Sequence, residues 1–87
     1  MTAKIKEWFF DKIQETAGQY SCYINVISRN NDGMIIADTD GYVTVEVDEI
    51  IKESDKAVQM KLATGDIEGS YNEWKTWVPK SVIGGIE

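Results

Sequence analysis

Asp48-Glu49-Ile50-Ile51-Lys52-Glu53-Ser54-Asp55-Lys56-Ala57-Val58, answered downstream by Trp74-Lys75-Thr76-Trp77-Val78-Pro79-Lys80-Ser81-Val82-Ile83, is the stretch that decides the fold. Ser54-Asp55-Lys56 turns the chain, after which Val58, Met60 and Leu62 alternate with Gln59 and Lys61. A period of two marks a strand with one buried and one wet face. Residues 73–78 supply a tryptophan-rich partner, which Pro79 ends because proline has no amide hydrogen for a ladder. These segments read as the closing half of a small β-barrel.

Working upstream, Val43, Val45 and Val47 point inward against Thr44, Glu46 and Asp48, giving a third strand from Tyr42 to about Ile51. Two turns, Asn30-Asn31-Asp32-Gly33 and Asp38-Thr39-Asp40-Gly41, bracket a short strand, Met34-Ile35-Ile36-Ala37. Tyr20, Cys22, Ile24 and Val26 alternate in the first strand. Ahead of it, Ile5, Phe9, Ile13 and Ala17 recur every four residues and predict a helix over 3–17. Thr2 is its expected N-cap and Gly18 its left-handed C-cap. Downstream, 64–72 is the longest loop, and Val82 and Ile83 fold back through a single turn. Gly84-Gly85 then release a frayed tail, 84–87. The expectation is one α+β domain over 1–87. An N-terminal helix packs on a meander, 20–83, forming a five-stranded, strongly curved antiparallel sheet or a small SH3/OB-like barrel.

Composition narrows the chemistry. With no histidine and Cys22 as the only cysteine, an intramolecular disulfide is impossible and a transition-metal site lacks its usual ligands. No cofactor is expected. No apolar run is long enough for a transmembrane helix, and the N-terminus leads into an amphipathic segment rather than a signal peptide. A reducing, cytoplasmic location follows. The net charge of −6 is unevenly placed: residues 32–55 hold eight acidic groups against Lys52 alone. A solvated strand face is the plain reading of that excess. The functional one is attraction to a basic partner.

The pattern Lys56-Ala57-Val58, Met60-Lys61-Leu62, then Trp77-Val78-Pro79-Lys80-Ser81-Val82-Ile83 resembles the ending of a group of small bacteriophage and mobile-element proteins. The resemblance spans roughly residues 47–83. It implies a shared fold signature, in which a lysine-led strand pairs with a tryptophan-led one, and carries little chemistry across. The longer loop at 64–72 and the N-terminal helix are departures where a function would be added. In size, charge and implied origin the chain is also similar to small acidic phage proteins that inhibit CRISPR defence by occupying a nucleic-acid-binding surface.

Catalysis finds no support in residue types. Ser54, Ser70, Ser81 and Cys22 have no histidine to activate them, and Cys22 reads as a small core residue. Asp38-Thr39-Asp40-Gly41 places glycine at the fourth position, not the sixth that a calcium loop requires. The expected role is non-enzymatic binding of a host protein with a basic surface. In it Asp38, Asp40, Glu46, Asp48, Glu49 and Glu53 steer from one coherent face, while Tyr71 and Trp74 anchor. A single-stranded nucleic-acid site at Trp74, Lys75, Trp77 and Lys80 is the alternative, against a reading in which the tryptophans only pack. Self-association through an uncovered edge strand, giving a homodimer, is the third.

Overall fold

The computed structural model describes residues 1–20, 22–66 and 71–87, with the backbone alone at Asp66 and residues 71–73. In chain order the elements are β1 (Thr2–Lys6), α1 (Glu7–Gln19), β2 (Cys22–Ile24), β3 (Tyr42–Glu53), β4 (Ala57–Asp66) and β5 (Tyr71–Pro79). A single 3-10 turn (Lys80–Val82) then leads into β6 (Ile83–Ile86). All pairings are antiparallel, in the order β2-β4-β3-β1-β6, with β5 on the free side of β4. The α+β class holds, with six strands rather than five. The strand order is open: among the described residues no ladder joins β6 to β5, so the sheet is not a closed barrel.

β3 organises the sheet because it serves two ladders. Its first half, Tyr42 to Glu46, lies against β1; from Val47 to Glu53 it lies against β4. Bulges between Val47 and Glu49 and between Ile50 and Lys52 mark the change, and a bulge bends a strand and increases its twist. Where β3 leaves β4, β2 takes its place, pairing Ile24 with Thr64. The chain then crosses to β3 through the Val26–Val45 bridge. Val43, Val45, Val47, Met60, Leu62 and Val78 are completely or almost completely buried, the inward half of each alternating strand.

The helix begins four residues later than the four-residue spacing suggests. Thr2-Ala3-Lys4-Ile5-Lys6 is a strand, with Ala3 and Ile5 buried and Lys4 in water. Ile5 satisfies a period of two as well as a period near four. The strand wins because β3 and β6 offer it ladders on both edges. The buried helical face is therefore Phe10, Ile13 and Ala17, with Phe9 only partly covered. Thr2 is not the N-cap. Lys6 occupies that position without a side-chain cap, and the Glu7 amide donates to the Gly41 carbonyl at 3.0 Å. Gly18 lies inside the helix. Among the described residues the left-handed glycines are Gly33 and Gly41, each closing a turn. No helix among the described residues is long and apolar enough to cross a membrane.

The tail is not frayed. β6 pairs with β1, and Thr2 and Glu87 exchange both backbone hydrogen bonds at 2.8 Å. Gly84 is there for close packing: a Cβ on it would stand 2.8 Å from the Tyr42 ring. The long loop contracts as well, since β4 runs to Asp66 and β5 starts at Tyr71; residues 67–70 lie outside the described residues. The short strand expected at 34–37 is reduced to one bridge, Arg29 to Ile35.

Candidate functional site

The segment between β2 and β3 folds as a small hairpin followed by a second turn, and both turns use one device. Asn30 Oδ1 accepts the amides of Asp32 and Met34 at 2.9 and 3.0 Å, and Asp38 Oδ1 accepts those of Asp40 and Tyr42 at 2.9 Å each. In each turn a glycine three residues on takes positive φ, 79° at Gly33 and 86° at Gly41, which a side chain would resist. The Tyr42 amide, then those of Asp40 and Gly41 together with the Lys4 charge, hold the Asp38 carboxyl below its ordinary value against an opposing desolvation. Arg29 fastens the hairpin from within, donating to the Val26 and Gly33 carbonyls. Ile36 and Ser28 pair through the backbone, while Ser28 Oγ accepts from the Thr44 amide at 2.8 Å and roots the hairpin on β3.

What this hairpin displays is apolar. Met34 is 64% exposed, Ile35 37% and Ile36 46%, with Ile27 also exposed at its base. Asp32 precedes the run, and Asp38 and Asp40 follow it. The sequence reads Met34 to Ala37 as a short strand. The bracketing turns leave four residues between Gly33 and Asp38, and these make one bridge, Arg29 to Ile35, rather than a ladder.

The acidic residues do not form one face. Asp38 and Asp40 sit in the turn before β3, Glu46 is level with Thr2 on the β1 side, and Asp48 lies at the first bulge. Glu49 pairs with Lys61 at 3.6 Å, and Glu53 with Lys80 at 3.0 Å at the far end. A twelve-residue strand at ~3.3 Å per residue extends about 40 Å if straight, several times the ~8 Å over which exposed charges sense one another in physiological salt. The carboxylates therefore divide into a set near the hairpin, where Asp38 feels the Lys4 charge, and a lysine-paired set at the other end.

The tryptophans divide too. Trp74 is level with fully buried Leu62 and leans on the core, whereas Trp77 is level with Gln59 on the outer face and 45% exposed. Lys75 is on the Trp77 side, level with Lys61; Lys80 turns away to Glu53. The expected grouping of Trp74 with Lys75 and Trp77 is thus split by the pleat. The Tyr71 side chain lies outside the described residues.

A shallow cavity of about 210 Å³ on the outer side of β1 and β6 is lined by Thr2, Lys4, Thr44, Gly84, Gly85 and Glu87, below the range of roughly 300–1,000 Å³ usual for ligand pockets. Cys22 is buried, with its thiol against the Tyr20 carbonyl at 3.5 Å. Among the described residues no three His, Cys, Asp or Glu side chains gather as a metal site. Comparison with protein-family models, curated proteins and solved structures finds no match to this chain.

Proposed function

We propose that this chain is a non-enzymatic recognition module of the phage accessory type, acting in the cytoplasm of a bacterial host. Its partner is a host protein whose apolar contact surface is rimmed by basic residues. The observation that carries this reading is Met34-Ile35-Ile36, three consecutive large apolar side chains in water on a turn-fastened hairpin. Single exposed apolar residues need no explanation, but a contiguous run beside carboxylates combines anchors with steering. The anchoring role expected of Trp74 passes to these three, because Trp74 leans on the core; Tyr71 keeps its expected role as an anchor. Asp32, Asp38 and Asp40 supply the nearby negative charge, and Glu46 and Asp48 extend it along β3. A host surface that ordinarily holds nucleic acid has the required basic rim. Occupying it makes the chain an inhibitor, similar in action to anti-CRISPR proteins.

The test compares wild type with Met34→Ser/Ile36→Ser. A partner captured from bacterial lysate is identified, purified and titrated against both. The expected result is a loss of about tenfold or more in the variant, with slower, less salt-dependent association in Asp32→Lys/Asp40→Lys and competition by nucleic acid. Equal affinity for wild type and the apolar variant discards the reading. A doubled mass in light scattering that disappears in Met34→Ser/Ile36→Ser reassigns the hairpin to self-association.

A further inference from the structure

We infer a second binding site, for a short run of single-stranded nucleic acid, on the outward face of the β3–β4–β5 meander. It uses none of the hairpin's side chains, so it stands or falls separately from the protein-binding role. Strand register builds it: Lys52, Gln59 and Trp77 form one row across the three strands, and Glu49, Lys61 and Lys75 form the next. Neighbouring strands lie ~4.8 Å apart, and same-face rows ~6.8 Å apart. Lys75 is thus one row from the indole of Trp77, Lys61 is diagonal to it, and Lys52 is two strands across. The row on the other side holds Ala57 and Pro79, which are too small to cover an indole.

Each part has a use in holding a strand. The exposed Trp77 face is a plate on which a base stacks, and the three ammonium groups meet phosphates. The Gln59 amide, between them, both donates and accepts. Among the described side chains of the two rows, three cations stand against one anion, a local excess opposite in sign to the whole chain. The acidic turns precede Tyr42, whereas Lys52 is at the other end of β3, which separates them by more than the ~8–10 Å screening length. An acidic peptide would satisfy the lysines but leave Trp77 with nothing to stack on, so nucleic acid is the better match. Glu49, 3.6 Å from Lys61, is one resident competitor that a phosphate must displace.

The experiment uses the full chain and a short fluorescein-labelled oligothymidylate, read by anisotropy across a salt series. Three lysine–phosphate contacts give an expected slope of about −2 in log K against log salt. Trp77→Ala should weaken binding about tenfold or more, Trp77→Phe should retain most of it, and Lys52→Glu/Lys75→Glu should abolish it. Glu49→Gln should tighten binding, and Met34→Ser/Ile36→Ser should leave it unchanged. No anisotropy change at low salt overturns the inference. So does wild-type affinity in Trp77→Ala with its urea midpoint intact, or equal competition by polyglutamate. If Trp77→Ala unfolds, Lys52→Glu/Lys75→Glu decides alone: wild-type affinity there is equally fatal.

Discussion

The β3–β5 meander and the hairpin ahead of β3 are both rich in apolar residues and acids, yet they use them in opposite ways. In the meander, Val58, Met60, Leu62 and Val78 are buried while Glu49 and Glu53 are answered by Lys61 and Lys80. Among the described residues, both carboxylates seen paired with a lysine belong to β3, a strand that already has a core beneath it. In the hairpin, Met34, Ile35 and Ile36 have turn hydrogen bonds to hold the backbone, while their side chains stay exposed, with no second layer over them among the described residues. Folding is explained by the first region. The second contributes shape and surface without contributing much burial, as the proposed contact role requires.

That contrast breaks most visibly by truncating a methionine in each region. Met60→Ala, at a fully buried position, should cost about 2–5 kcal/mol in urea unfolding, whereas Met34→Ala should change it by about 0.5 kcal/mol or less. Equal costs would place the hairpin in the core. Next in size is the glycine pair at the start of β6. Gly84→Ala drives a methyl into the Tyr42 ring, and Gly85→Ala meets nothing within 4 Å. The first should lose about 1–3 kcal/mol and the second should be nearly silent, as read by paired thermal melts. Gly41→Ala and Gly33→Ala sharpen the turn side of the comparison: each should cost about 1–2 kcal/mol for the left-handed backbone.

Much of the meander is legible from the chain alone because Val43 to Val47 and Val58 to Leu62 alternate without exception, and Pro79 punctuates them. Residues 2–6 mislead because Ile5 fits two periods at once, and the sequence does not reveal that β6 will be available to pair. Gly84-Gly85 reads as release when its purpose is to admit an aromatic ring. The candidate sites suffer from the same blindness. Outward carboxylates on β3 are predictable, but two bulges and two lysine partners are long-range facts that no local pattern encodes. Met34 to Ala37 reads as a strand because hydrophobicity alone does not say whether a partner strand exists. Trp74 and Trp77 are three apart, so the pleat places them on opposite faces; that much was readable.

Smaller effects complete the comparison. The Asp38 carboxyl lies below its ordinary value of 3.8 in the folded chain, so as pH falls through that region the unfolded state takes up the proton first. Its contribution to stability is complete above the unfolded value and is lost as pH falls through the folded one. Asp38→Asn should flatten the acid limb of a melting curve measured against pH, and an unchanged limb would remove Asp38 from the account of the turn. Smallest is Lys80→Ala. Both partners of its pair with Glu53 reach water, so the change should be about 0.5 kcal/mol or less and should diminish in high salt.

The most direct measurement joins stability and binding in one variant. Met34→Ser/Ile36→Ser should keep the wild-type urea midpoint while losing the captured partner. A midpoint that falls as far as that of Met60→Ala, or a partner held as tightly as before, would show that the hairpin belongs to the scaffold and that recognition lies elsewhere.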